Sequence, residues 1–297
     1  MSDLTAEGAA AHVAVRLPSA TADLPRWRLL VRRPTFVVGA AILLFWIVCA
    51  VFGHQIAPDD PLAQNLLGNN TAPAGTHWFG TDSLGRDVLS RVIVGARDIL
   101  IITPLATILG TVLGTILGLF MGYFGGIFDL LVSRVVEAVL ALPAVIISFL
   151  FIVALGPSTS TLILVVGLVF TPLIARTVRA AVLSERHLDY LAAARLLGEN
   201  PLRVMFAEIL PNVLPAILVE FTVRLGYAIF AIATLSFLGF GVQPPTADWG
   251  SDIAVSYQHD GLGAGYWWQT LFPALAIASL VIAVNLITDS VEQVQSS

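Results

Sequence analysis

Long apolar runs separated by polar segments dominate this 297-residue sequence. A hydrocarbon core of about 30 Å is crossed by about 20 helical residues, and backbone groups in lipid must bond within their own segment. None of the runs alternates with period two, as a barrel strand in a membrane would. The pattern predicts an all-α integral membrane protein with about six transmembrane helices, at residues 35–54, 99–124, 134–155, 160–182, 212–240 and 269–288.

The composition agrees with a chain that lies mostly in lipid. Hydrophobic residues make up 57% of the sequence and charged residues 12%, with a mean hydropathy of +0.87. These values exclude an ordinary soluble domain. The net charge of −5, with the basic residues scattered along the chain, also argues against a nucleic-acid partner.

The distribution of arginine predicts the orientation, because short cytoplasmic loops are enriched in basic residues. Four arginines precede the first apolar run: Arg26, Arg28, Arg32 and Arg33. We therefore expect both termini and segment 184–210 to face the cytoplasm, and segments 55–97 and 241–268 to face outward. The predicted divisions are a disordered cytoplasmic tail (1–28), a first transmembrane helix with an external segment (29–97), a transmembrane core (98–290) and a short cytoplasmic tail (291–297).

A stripe of glycines at intervals of four runs along the second apolar segment: Gly110, Gly114, Gly118 and Gly122. Small residues at this spacing let two helices approach closely in lipid, so the stripe predicts a packing seam. The alternative is that the neighbouring threonines line a pathway for a substrate: Thr103, Thr107, Thr111 and Thr115.

Glu220 and Arg224 are charged residues inside the fifth apolar run. A charge near the bilayer centre costs about 2.5–3.5 kcal/mol on insertion scales and rarely faces lipid. At a spacing of four the two side chains can pair on one helix face. Two interpretations stay open: a structural ion pair, within the helix or with a partner chain, and a charged patch on the wall of a pathway.

The sequence lacks motifs of catalysis and cofactor binding. It contains no phosphate-binding loop, no zinc-protease motif and no serine-nucleophile motif, and its five histidines are dispersed without ligand spacing. We therefore expect no catalytic residue, no metal site and no cofactor on this chain. Any energy-consuming step would need another chain or an ion gradient.

The internal segment 184–210 contains a predicted short helix at 188–198. Asp189 can cap its N-terminus, Gly198 can end it, and Pro201 blocks its continuation. Small residues at Ala193 and Ala194 would allow close contact with another protein surface. The candidate docking residues are Leu188, Asp189, Tyr190, Ala193, Ala194, Arg195 and Gly198.

Several motifs give the chain a family resemblance. Tyr190 to Gly198, followed by Ile209-Leu210-Pro211, resembles the EAA loop of ABC-importer permeases, with Ala192 in place of the usual glutamate. The segment 77–91 resembles the external signature of the C-type permeases of dipeptide, oligopeptide and nickel importers, and 235–250 resembles a second block of that family. The matching signature residues are Trp78, Gly80, Asp82, Gly85, Arg86 and Asp87.

The resemblance implies a type I ABC-importer transmembrane domain in a bacterial cell membrane. Its implied partners are a second permease, one or two ABC ATPase subunits and an extracytoplasmic substrate-binding protein. ATP and magnesium would bind to the ATPases, and helix 188–198 would be the coupling helix that docks on them. The implied cargo is di- or oligopeptides, with nickel, glutathione or haem as alternatives. A secondary transporter driven by an ion gradient is the competing class, for which Glu220 is the one suitable buried carboxylate.

The external segment 77–97 allows two interpretations. Turn residues are followed by apolar residues at helical spacing, which predicts an amphipathic external helix lying against the bundle. The alternative is a contact surface for the binding protein. A metal site made by His77, Asp82 and Asp87 is disfavoured, because hydrogen bonds within a turn explain the same residues.

Overall fold

The computed structural model describes residues 30–31, 33–186, 188, 191, 194, 196–259 and 262–295. The predicted disordered tail 1–28 lies outside these residues. So do four of the proposed docking residues: Asp189, Tyr190, Ala193 and Arg195.

The described residues fold into helices joined by turns. Leu66–Gly68 adds one 3-10 turn in the segment after the first helix. In chain order the helices are α1 (Pro34–Ile56), α2 (Val88–Phe124), α3 (Gly126–Leu140), α4 (Ala144–Leu155), α5 (Thr159–Glu185), α6 (Pro201–Phe237), α7 (Trp249–Gln258) and α8 (Trp268–Gln295).

Helices α1, α2, α5, α6 and α8 are each long and apolar enough to cross a membrane. Helices α3 and α4 together pass the same test but are bent by 89° at the break between them. The prediction of an all-α membrane protein with about six transmembrane helices is confirmed.

The third apolar run, predicted as one helix at 134–155, is wrong in its form. It is a bent pair that already begins at Gly126, and Pro143 lies at the break as the N-cap of α4. Proline disfavours helical backbone in the residue before it and lacks the N–H of a helical bond. The chain therefore turns sharply at this point.

The glycine stripe of α2 packs along α5. A methyl group added at Gly110 would lie 2.8 Å from the carbonyl oxygen of Gly167, and one at Gly122 would lie 2.6 Å from Cβ of Val182. At these two contacts the residue numbers increase in the same direction along both helices, so α2 and α5 are parallel. The chain must return across the bundle between them, which makes α3 and α4 one bent crossing.

Helices α1 and α8 are antiparallel neighbours. Thr35 Oγ1 lies 3.0 Å from Ser290 Oγ, and Trp46 Nε1 donates to Ser279 Oγ at 2.9 Å. The start of α1 and the end of α8 therefore lie at the same face of the bundle. A chain that crosses the bundle six times, an even number, must also end at the face where it began.

Two predicted boundaries differ from the structure. Residues 88–97 do not form a separate external helix, because α2 runs without a break from Val88 to Phe124. The predicted tail 291–297 is helical as far as Gln295, where α8 ends. In both places the helix extends beyond its apolar run, since helical hydrogen bonding continues where polar side chains find partners.

Candidate functional site

Asp82 holds the turn that precedes α2. Its carboxylate accepts hydrogen bonds from the backbone N–H of Leu84 and of Arg86, each at 2.9 Å, and from Arg86 Nε at 2.6 Å. Gly85 has a φ of 72°, and a methyl group there would lie 1.9 Å from the carbonyl oxygen of Asn65. Only glycine fits that close approach.

Asp87 caps the first turn of α2. Its Oδ2 accepts from Ser90 N at 2.8 Å and from Ser90 Oγ at 2.7 Å, as an N-cap residue does. His77 Nδ1 lies 3.0 Å from Asp87 Oδ1 and 3.5 Å from Asp59 Oδ2. Among the described residues these three side chains have the spacing of metal ligands, with Asp59 in the place that the sequence analysis considered for Asp82. We assign Asp87 to the helix cap, because both of its oxygens already have partners within the chain.

Two tryptophans, the first residues of α7 and α8, donate hydrogen bonds to the start of α2 and to the turn before it. Trp249 Nε1 donates to the carbonyl oxygen of Val92 at 2.8 Å. Trp268 Nε1 donates to the carbonyl oxygen of Thr81 at 3.1 Å. Both indole rings are buried, so each satisfies its one polar group while filling apolar space.

An aspartate of α7 faces the first arginine of α2. Arg91 Nε donates to Asp252 Oδ1 at 2.8 Å across the boundary between the two helices. Burial raises the pKa of Asp252, and the charge of Arg91 opposes that effect. Burial also raises the pKa of Asp248 to about 6, although Ser251 N donates to this carboxylate at 2.8 Å.

The external signature is therefore mostly internal to the chain. Trp78 is 71% exposed, which makes it the one of these six residues that is open to another protein. The other five are buried: Gly80, Asp82, Gly85, Arg86 and Asp87. These contacts position the starts of α2, α7 and α8 relative to one another.

Two leucines are exposed at the end of the segment predicted as a docking helix, 188–198. Leu196 is 89% exposed and Leu197 is 79% exposed, whereas Leu191 is fully buried. Ala194, a predicted docking residue, is half-buried and packs in part against the core of its own chain. Gly198 has a φ of 71°, and Glu199 N–H donates to the carbonyl of Ala194 at 3.1 Å, which is the hydrogen bond that closes a helix at a glycine. Leu188 is 46% exposed.

A π-helical stretch at Val204–Ile209 lies in the first part of α6, shortly after this segment. Pro211 follows it and has no N–H to donate to the carbonyl of Ala207, so regular helical bonding is weakened in this stretch. π-Helical turns occur frequently at functional sites. This stretch was not predicted from the sequence, although Pro211 is a signal that would have indicated it.

Glu220 and Arg224 form the pair that their spacing allows. Arg224 Nε donates to Glu220 Oε1 at 2.6 Å, and the guanidinium lies 5.5 Å from the ring centre of Tyr227. The two charged side chains are 12% and 17% exposed. The pair is thus largely shielded on α6, and Tyr227 beside it is exposed.

A second ion pair, between α3 and α5, was not predicted from the sequence. Arg179 NH2 on α5 donates to Asp129 Oδ2 on α3 at 2.6 Å, and Arg179 Nε donates to Asp129 Oδ1 at 2.5 Å. Such a two-bond contact fixes orientation as well as distance. It holds the first half of the bent crossing against α5. Fifty residues separate the partners, so no local pattern could pair them.

Comparisons with known families agree with this architecture. Residues 114–296 match the family described as binding-protein-dependent transport system inner membrane component. Residues 26–73 match the N-terminal transmembrane domain of oligopeptide transport permease C. The first match covers more than half of the chain.

Curated relatives extend over nearly the whole sequence. The dipeptide transport system permease protein DppC of Bacillus subtilis is 36% identical over 94% of this chain and 86% of its own length. DppC of Escherichia coli K12 is 41% identical over 89% of each chain. The glutathione transport system permease protein GsiD of Shigella flexneri is 38% identical over 89% of this chain and 86% of its own length.

Proposed function

We propose that this chain, which belongs to the family of binding-protein-dependent transport system inner membrane components, carries dipeptides or oligopeptides as the permease subunit of an ABC importer. The observation that supports this cargo is the identity of 36% and 41% to two proteins named as dipeptide permeases. The bundle of six crossings supplies the membrane pathway.

The proposed assembly contains a second permease, one or two ABC ATPases and an extracytoplasmic binding protein, in a bacterial cell membrane with both termini of this chain in the cytoplasm. ATP and magnesium bind to the ATPases, and the chain itself catalyses no reaction. The arginines near the first span and in segment 184–210 support this orientation.

The proposed ATPase contact is the inner segment around Leu196 and Leu197. Large apolar side chains that are about four-fifths exposed or more favour a protein partner. Gly198 ends the helix there, so the two leucines stand on a short and defined element. This element is followed at once by α6, whose first part contains the π-helical stretch, so α6 would transmit movement of the ATPase into the bundle.

The proposed pathway wall includes the α6 face that carries Glu220 and Arg224. A zwitterionic peptide has one positive and one negative terminus, so a paired carboxylate and guanidinium offer both complementary charges. In the resting chain the two side chains neutralise each other. Passage of a peptide would replace this internal pair by two transient contacts without leaving a charge alone.

Glutathione is the second candidate cargo, because one relative of 38% identity is named as a glutathione permease. Glutathione carries an amine and carboxylates on a peptide backbone, so the same pathway chemistry would serve. The choice between the two cargoes would rest on the binding protein.

Transport into proteoliposomes that contain the full complex tests the proposal. Labelled dialanine and labelled glutathione are compared, each with ATP and the binding protein present. Dialanine uptake that requires a functional ATPase and persists with a protonophore supports a peptide importer. Uptake that follows an ion gradient without ATP would contradict it. ATP-dependent uptake of glutathione, without uptake of dialanine, would show that glutathione is the cargo.

A further inference from the structure

A groove of about 700 Å³ lies between α1 and α2 in the half of the bundle where α1 ends and α2 begins. Leu225 and Ile229 of α6 form its floor together with Val284 of α8. Its volume is in the range of about 300–1,000 Å³ that ligand sites occupy. The groove therefore has room for one small amphiphilic molecule.

The groove has a polar rim and an apolar depth. Arg97, His54 and Gln55 lie at the rim, and Ile47 and Ile101 lie deeper, with other aliphatic side chains. Gln55 is the penultimate residue of α1, and Arg97 is in the third turn of α2, just before the second apolar run. The rim thus lies at the level where a bilayer changes from headgroups to hydrocarbon.

Arg97 has a charge that the protein leaves available. It is exposed and makes no hydrogen bond or ion pair with any described residue. The adjacent Asp98 interacts electrostatically with Arg97, but it is half-buried, makes no hydrogen bond to it and does not line the groove. An arginine at an apolar surface extends its guanidinium toward the interface, where its planar fork can donate two hydrogen bonds to a phosphate.

A second unsatisfied polar group lies deeper in the groove. Thr103 lines it and is 2% exposed, and its hydroxyl has no hydrogen-bond partner. Six residues separate it from Arg97, a rise of about 9 Å along the helix. Pro104 follows and has no N–H to donate to the carbonyl of Leu100, another lining residue. A buried hydroxyl without a partner costs free energy until a ligand supplies one.

We infer that the groove binds an anionic phospholipid from the leaflet in which α1 ends. The phosphate pairs with Arg97, a glycerol ester oxygen accepts a hydrogen bond from the Thr103 hydroxyl, and one acyl chain lies along Ile47 and Ile101. An apolar helix from another subunit would fill the same space but would leave both polar groups unpaired. The inference concerns the membrane and does not depend on which substrate is transported.

Lipid retention by the full-length chain, purified with the subunits that accompany it, tests this site. The protein is stripped with detergent, exchanged into equal amounts of phosphatidylglycerol and phosphatidylcholine, purified again and analysed for bound lipid by mass spectrometry. We expect phosphatidylglycerol to be retained preferentially. Arg97→Gln should lower that retention about tenfold, as loss of one charge-assisted hydrogen bond predicts.

Matched variants separate the groove from the general surface. Ile101→Trp fills the groove from a position that is 45% exposed, and Val112→Trp adds the same ring to α2 at a position that is 50% exposed and outside it. Arg176→Gln removes an exposed arginine of α5 as the charge control. Only Arg97→Gln and Ile101→Trp should lose phosphatidylglycerol.

Three results would overturn the inference. Equal retention of the two lipids by the unmodified chain would show that no anionic site exists. Equal losses in the control variants would show that the lipid binds elsewhere. Efficient crosslinking of a cysteine at Ile101, in a Cys49→Ala background, to another subunit would show that protein covers the groove.

Discussion

Arg91 and Asp252 form an ion pair that joins the start of α2 to α7, with Nε and Oδ1 2.8 Å apart and 161 residues between the partners. Arg91 is 3% exposed, so the pair is shielded from water. Removing one member of a buried pair leaves an uncompensated charge, whereas removing both need not. The stability of the contact between the start of α2 and α7 should therefore depend on the presence of both partners or of neither.

Arg91→Met should destabilise the purified protein by about 3–5 kcal/mol, and adding Asp252→Leu should recover part of the loss. Thermal denaturation midpoints in detergent measure both effects. The control is Arg134→Met, which breaks the Arg134–Glu137 pair whose side chains are 72% and 62% exposed and should cost less than about 1 kcal/mol. Equal losses for Arg91→Met and the double variant would contradict the coupling.

The raised pKa of Asp248 predicts that the stability of α7, the helix it caps, depends on pH. Burial raises its pKa from 3.8 to about 6, so the folded state holds the proton more tightly than the unfolded state does. The contribution of this residue to stability is therefore greatest below about pH 4, declines as the pH rises toward 6 and is fully lost above that. Asp248→Asn keeps the cap of α7 and should remove this decline.

Hydrogen exchange of α7 at pH 4.5 and pH 7.5, corrected for intrinsic rates, measures the pH effect. The difference in protection between the two pH values should shrink in Asp248→Asn. Asp60→Asn changes an exposed aspartate of the same outer region and should leave the difference unaltered. An identical pH difference in the unmodified chain and in Asp248→Asn would show that Asp248 is not its source.

Gly114→Ala should separate α2 from α5. The added methyl group would lie 2.7 Å from Ile174 Cβ and 2.9 Å from the carbonyl oxygen of Thr171, so neighbouring atoms must shift. Overpacking of this kind costs about 1–3 kcal/mol. Gly75→Ala is the matched control, because nothing lies within 4 Å of a methyl group there. A denaturation midpoint unchanged by Gly114→Ala would argue against a tight seam.

Glu220→Ala and Arg224→Ala should each lower the yield of assembled complex more than the double replacement does. Each single change leaves one charge alone in a shielded membrane position, whereas the double change leaves none. Gel filtration of solubilised membranes measures the yield. Normal assembly with loss of uptake in both single variants would favour the pathway role over the structural one.

Leu196→Asp combined with Leu197→Asp should leave the chain in the membrane at its normal level and abolish ATPase binding. The two side chains are exposed, so the bundle loses no packing, but an apolar docking surface would gain two charges. Co-purification of the ATPase and uptake are the measurements. Leu191→Asp is the contrasting change: Leu191 is fully buried, and its replacement should reduce the amount of folded chain. Normal uptake by the double variant would rule out this contact.

The sequence alone determined the class of the protein and most of its helices. Lipid requires long apolar helices, and that requirement can be counted along the chain without knowing any neighbour. Turn and cap residues such as Asp82 and Gly198 were also readable, because their hydrogen bonds reach only a few residues away. The ion pair of Glu220 and Arg224 could likewise be predicted from their spacing, because the two residues are only four apart on one helix.

Tertiary structure decided which helices meet and in which direction. The parallel contact of α2 with α5 and the pairs Arg91–Asp252 and Asp129–Arg179 depend on partners 50 or more residues apart. An apolar run has the same composition whether it faces lipid, a groove or another helix. Burial and pairing over such distances follow from how the helices pack, so Ala194 could be placed against the core, and Arg97 at a groove, only in the folded chain.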